Sequence, residues 1–247
     1  MHIVIDGIIE LLQSQGGISV YFENLISRYS SDLSNQVTYY NYLDKSKIIS
    51  KQREIPCMGF TVKNFLPRKF ERYRKCSVND GDLFHSTYYR VPDTNIPSVT
   101  TVYDFIYERL ITGPKKWVHS HQKRMAVNQS DLIICISENT AIDLIDYFKT
   151  DESKIRVIHC GVSEKFFPID TIASYTNRVL FVGSRAGYKN FSHAVKAVAS
   201  NSELELVIIG GGALKRHELT MLDCYLPNRY RCVGTLTEEE LNLEYNR

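Results

Sequence analysis

The 247-residue sequence has no C-x-x-C pair and no histidines at metal-ligand spacing, so neither a zinc site nor a dithiol redox motif is expected. Its six cysteines, at positions 57, 76, 135, 160, 224 and 232, fit a reduced cytosolic chain. No apolar run reaches the ~18 residues that a membrane span needs. The opening Met-His-Ile-Val-Ile-Asp-Gly lacks the basic flank and long apolar stretch of a signal peptide and reads as a buried first strand. In a chain that is not exported, the sequons at Asn128 and Asn190 meet no glycosylation machinery. Charge of one sign is also lacking: 30 Lys and Arg face 28 Asp and Glu, a net charge of +2. Nothing global favours nucleic acid, and any anion site must be local. A dinucleotide fingerprint is missing too, because Gly16-Gly17 is followed by no third glycine at the required spacing and no acidic residue closes a second strand.

What is present is an ordinary globular composition, 43% hydrophobic and 23% charged, in which short apolar runs alternate with amphipathic segments of helix length. Strands are predicted at Ile3–Ile5, Val37–Tyr40, Leu83–His85, Val99–Tyr103, Leu132–Ile136, Arg156–His159, Val179–Val182, Leu206–Ile209 and Tyr230–Val233. Helices are predicted near Ile18–Tyr29, Lys115–Asn128, Glu138–Tyr147, Ser192–Ala199, Lys215–Leu222 and Glu238–Tyr245. Such alternation predicts an α/β fold with parallel sheets covered by helices. Pro168 and the polar Asp170-Thr171 stretch suggest a boundary between Gly161 and Asn177. Two Rossmann-like domains follow, over residues 1–165 and 174–247. The segment Lys45–Lys75 shows no clear period.

Local chemistry gathers at four places. The strand Val179–Val182 runs into Gly183-Ser184-Arg185-Ala186-Gly187-Tyr188-Lys189-Asn190, where two cations precede a helix and favour a phosphate-bearing ligand. Gly16-Gly17 opens the first long helix after a loop over Gly7–Gln15, either as a ligand-approaching turn or as a plain one. Gly210-Gly211-Gly212 is a further strand-to-helix turn, open to the same two readings. Glu238-Glu239-Glu240 is an acidic first helical turn with Thr237 as its N-cap rather than a carboxylate cluster. His85, at a strand end, is either structural or a cleft residue, and His159 carries no assigned role. Lys63–Lys75 holds six cations among four aromatics or leucines, which suits either an anionic bilayer surface or a solvated helix.

Taken in order, several segments resemble those of retaining group-1 (family 4) glycosyltransferases of the GT-B type. They are Gly16–Leu25, Leu83–Pro92, Thr101–Phe105, Ile134–Glu138, Arg156–Val162, Val179–Asn190, Ile208–Gly212 and Gly234–Leu241, and they span essentially the whole chain. The resemblance implies two Rossmann-like domains facing a cleft, the second incomplete, with a nucleotide diphosphate sugar as donor and a saccharide or lipid-linked saccharide as acceptor. It implies that Arg185 and Lys189 grip the donor diphosphate, that Gly16 and Gly17 lie over its phosphates, and that Gly211 passes close to its nucleoside. It places Asp104 near the sugars, preceded here by Tyr103 where the family usually has histidine; with His85, which the strand-end rule puts on the cleft side, these are the candidate catalytic residues.

No metal and no cofactor is implied; the donor is a substrate, with mannose from GDP-mannose favoured by analogy alone. The setting would be cytoplasmic, with peripheral contact at the inner face of the membrane, in surface polysaccharide synthesis. The glutamate pair that the resemblance expects on the donor sugar would lie beyond Arg247. A shortened, non-catalytic relative and an unrelated α/β small-molecule-binding protein remain the rival readings.

Overall fold

The computed structural model describes residues 1–13, 16–42, 60–61, 68–170 and 177–247. The chain divides into two compact units, Met1–Cys160 and Gly161–Arg247. The division falls a few residues before the expected 165, because Gly161–Asp170 binds within the second unit. Lys165 pairs with Glu238 and Glu239, and the Phe167 and Ile169 amides donate to the Asn242 and Asn246 side chains.

In the first unit, β1 (His2–Asp6), β2 (Gln36–Asn41), β3 (Phe60–Thr61), β4 (Leu83–Ser86), β5 (Ser98–Val102), β6 (Leu132–Cys135) and β7 (Ile155–Val157) form a parallel sheet in the order β3-β2-β1-β4-β5-β6-β7. A central parallel strand is covered on both faces, which is why β1 reads as an unbroken apolar run. Ile3 and Ile5 pack with Phe22 and Ile26 on one face, and Val4 packs with Tyr40 and Phe84 on the other. Each such buried side chain contributes about 1.5–3 kcal/mol.

The helices of this unit are α1 (Ile9–Leu12), α2 (Gly17–Ser31), α3 (Arg68–Glu71), α4 (Ile106–Leu110), α5 (Pro114–Gln129) and α6 (Glu138–Phe148). The loop expected over Gly7–Gln15 thus contains a short helix, and β3 and α3 fall in the stretch without clear period. Ser137 caps α6 by accepting from the Thr140 amide, and Lys149 closes it in the left-handed conformation. The third cluster, of Val102, Phe105, Val127, Ile133, Leu144 and Phe148, packs α5 and α6 on β5 and β6.

The second unit holds β8 (Arg178–Val182), α7 (Phe191–Ala199), β9 (Glu205–Ile209), α8 (Arg216–Tyr225), β10 (Tyr230–Val233) and α9 (Glu238–Tyr245). Its strands are parallel in the order β10-β9-β8, the order of one half of a doubly wound sheet. Thr237 caps α9 in a reciprocal pair with Glu240, as its sequence suggests. All nine strands and six helices expected from the sequence have counterparts; the strand predicted at Arg156–His159 is displaced to Ile155–Val157. Among the described residues, the five cysteines are free, no group could hold a metal ion, and no helix is long and apolar enough to cross a membrane. Of the segment Lys63–Lys75, residues 63–67 lie outside the described residues.

Candidate functional site

In the second unit, ligand-facing groups belong at the carboxyl ends of the parallel strands, where β8 and β9 run into glycine turns. Gly183 ends β8, its amide bonded to the Ile209 carbonyl at 2.8 Å. Lys189 is exposed, and its Nζ lies 3.5 Å from where a Cβ on Gly183 would stand. No ion-pair partner engages it among the described residues. It is a free cation at a strand end.

Arg185 has a different fate from the one its position suggests. Its side chain is only 4% exposed and packs Nε 3.1 Å from an Oε1 of Glu218, itself 7% exposed. Nη1 donates to the Gly210 carbonyl at 3.1 Å, and Nη2 to the carbonyls of Gly211, Gly212 and Ala213 at 3.2, 3.1 and 2.9 Å. The guanidinium therefore fastens the β9 turn to the start of α8 rather than standing open to a diphosphate. The three glycines make that wrap feasible, each with φ of +74°. A Cβ on Gly211 would come within 2.6 Å of both Arg185 Nη1 and the Gly183 carbonyl oxygen. Glu218 was not singled out in the sequence, though its place three residues after Lys215 is a capping-box position, and it accepts from the Lys215 amide at 2.8 Å. Burial opposes ionisation of Glu218, yet the Lys215 amide and Arg185 outweigh it and hold its carboxyl below the usual range.

In the first unit, Gly16 and Gly17 stand at the start of α2, as expected. A Cβ on Gly17 would meet nothing within 4 Å among the described residues, and one on Gly16 would come within 2.5 Å of the Gln13 side chain. As at any helix start, the first amides of α2 have no partner within the helix itself. Asp104, just past β5, is exposed; its Oδ1 accepts from the Ile106 amide at 3.2 Å. Its neighbour Tyr103 turns inward, edge-on to Tyr21 at 5.9 Å, with a buried hydroxyl that has no hydrogen-bond partner among the described residues. Burial raises that phenol well above its ordinary range, so it keeps its proton.

His85 corrects the expectation of a cleft residue. It is 1% exposed, its Nε2 lies 2.9 Å from Thr101 Oγ1, and its ring packs edge-on to Phe22. Burial lowers its pKa to about 4, leaving a neutral core histidine.

Two buried networks stiffen this end of the sheet, and neither was apparent from the sequence. Asp6, at the end of β1, accepts from Tyr42 at 2.6 Å and Ser86 at 3.2 Å and pairs with Arg90 at 3.3 Å. Burial pushes its carboxyl up despite those partners. Behind Asp104, the fully buried Lys123 donates at 2.8 Å both to the Asp104 carbonyl and to Glu108. Burial disfavours the Glu108 charge, but the nearby His119 ring, hydrogen bonds from Lys123 and Ser120 and the charge of Lys123 bring it down to about 2. Lys123 thus fixes the turn that presents Asp104.

The model of Glycosyltransferase Family 4 matches residues 15–166. No protein among the curated ones matches. Solved structures resembling the chain include Alr3699/HepE of Anabaena in complex with UDP-glucose, with a TM-score of 0.65 and 15% identity over 99% of this chain and 71% of that one. A glycosyltransferase of Rickettsia africae follows, with a TM-score of 0.60 and 14% identity over 99% and 70%. WaaG, a glycosyltransferase involved in lipopolysaccharide biosynthesis, gives a TM-score of 0.64 and 10% identity over 99% and 72%. With the family match spanning more than half of the sequence and the parallel α/β units matching these neighbours, the chain belongs to Glycosyltransferase Family 4 and has the GT-B fold.

Proposed function

We propose that the chain transfers a hexosyl group, with retention, from a nucleotide diphosphate sugar to a saccharide or lipid-linked saccharide acceptor in the cytoplasm, for surface polysaccharide synthesis. One observation carries the donor half of this reading: Lys189 stands as an unpaired, exposed cation over Gly183, where β8 ends beside the glycine turn of β9. A cation there pairs with the diphosphate of the bound donor and also offsets the charge that develops on it as the nucleotide departs. Asp104, exposed at the end of β5 on a turn held by Lys123, is the carboxylate offered to the sugars. Arg185 supports the site from behind by shaping the glycine turn. Retention, the hexosyl group and the acceptor class rest on family likeness. For the donor, that likeness favours GDP-mannose, whereas the UDP-glucose bound by the Anabaena neighbour supports a uridine nucleotide.

Calorimetric titration of the chain with UDP-glucose and with GDP-mannose separates the donors. With the donor that binds, Lys189→Ala is expected to weaken affinity roughly ten- to a hundredfold, the usual cost of one charge-assisted contact. Its thermal unfolding should not move, because the side chain is exposed and has no ion-pair partner among the described residues. Unchanged affinity would remove Lys189 from the site.

A further inference from the structure

A groove of about 600 Å³ opens on the first unit between the segment Arg72–Lys75 and the outer face of α5. On the α5 side, Trp117 is 76% exposed, and His121, one helical turn further along the same face, is exposed as well. On the other side Tyr73 is 42% exposed, with the Arg72 guanidinium over its ring at 4.6 Å. The opposite face of α5 is spent on the core through Gln122, Lys123, Ala126 and Val127, so packing within the unit does not account for the aromatic one. Exposed aromatic side chains gathered along one groove mark an interaction site.

The charge around the groove has one sign. No carboxylate is found among its lining residues, and α5 carries no acidic residue from Pro114 to Gln129. Lys75 is exposed and has no ion-pair partner among the described residues, while Arg74, half exposed, pairs with the buried Glu71 at 3.6 Å. A second copy of the same face would be repelled, and a neutral ligand would leave these cations unused. The occupant that fits is an anion with an apolar face.

Given a saccharide acceptor, as proposed above, we infer that this groove holds a stretch of glycan that bears uronic acids. A sugar ring is itself two-sided. Its C–H face packs on the Trp117 indole and the Tyr73 ring, while its hydroxyls and carboxylate turn to the charged donors along the rim. The planar Arg74 guanidinium matches a carboxylate through two parallel bonds, and Lys75 and His121 add single donors. An acidic peptide matches the charge without the ring, and a neutral glycan the ring without the charge.

Trp117 is the single tryptophan of the chain, so its emission reports on this groove alone. The full chain, with no donor present, is titrated with hexamers of galacturonate and of hyaluronan, and in parallel with maltohexaose, hexaglutamate and phosphatidylglycerol vesicles. A saturable change in emission is expected with a uronate hexamer, fading as salt is raised, and roughly tenfold or more weaker with maltohexaose or hexaglutamate. In calorimetry with that hexamer, Trp117→Ala, at an exposed position, should fold like the parent and lose roughly tenfold or more in affinity, the usual loss for an aromatic anchor. Lys75→Gln should lose roughly two- to fivefold, the worth of an exposed ion pair. The inference falls if neither uronate hexamer moves the emission, if hexaglutamate or maltohexaose binds as well, or if the vesicles alone bind. Silent uronates beside intact nucleotide-sugar binding would sink the glycan site alone, and the reverse would sink the Lys189 site alone.

Discussion

Arg185 gives the sharpest test, because its position in the sequence suggests a phosphate ligand and its surroundings make it a structural clamp. Glu218→Ala removes the one carboxylate that, among the described residues, pairs with the 4% exposed Arg185 side chain, and leaves its guanidinium to the carbonyls of Gly210, Gly211, Gly212 and Ala213. Breaking such a pair from one side costs about 3 kcal/mol, since the remaining charge stays buried without its counter-ion. Arg185→Ala should cost a similar amount, because it frees Glu218 and four carbonyls together. For a unit of this size, ~3 kcal/mol lowers the melting temperature on the order of 10–20 °C. The assay is thermal unfolding by circular dichroism on both variants, with Lys189→Ala as the reference that should melt like the parent. Calorimetry with the donor nucleotide accompanies it. If Arg185→Ala melts like the parent yet loses nucleotide affinity, the clamp is wrong and Arg185 turns outward to the ligand.

Two further outcomes follow from the buried groups of the first unit. His85, at about pH 4 when folded against an ordinary 6.5, binds its proton in the unfolded chain first. Its contribution is full above pH 6.5 and falls by about 1.4 kcal/mol per pH unit down to about pH 4, some ~3 kcal/mol in all. His85→Gln should flatten urea-unfolding stability over that window, and an unchanged slope would show that His85 titrates in the fold. Lys123→Ala should destabilise by about 3–5 kcal/mol, by stranding Glu108 and the Asp104 carbonyl. Lys123→Met keeps the stem and should still lower transfer activity through the loosened Asp104 turn. Parent-like urea midpoints for Lys123→Ala would refute its role in holding that turn.

Much of the fold was legible because strands and helix ends announce themselves locally. The unbroken Ile3–Ile5 run, the alternation of βα units, and the caps Ser137 and Thr237 all follow from contacts within a few residues. The glycine turn at Gly210–Gly212 and the exposed Lys189 were likewise readable, since a strand followed by glycine and a helix predicts its own geometry. β3 and α3 were not, because elements of two and four residues leave no period to detect.

Tertiary structure decided the fate of the side chains. A histidine at a strand end looks the same in sequence whether it faces a ligand or a core; only the packing of α2 across β4 and β5 buried His85. Arg185 and Glu218 are 33 positions apart, and Asp6 and Arg90 are 84 apart. Their meetings depend on which strands lie side by side, a long-range outcome that local periodicity does not contain. Sequence alone therefore determined where the strands, helices and glycine turns run, while the sheet order settled which charges are spent inside the protein and which, like Lys189 and Asp104, are left exposed at its surface.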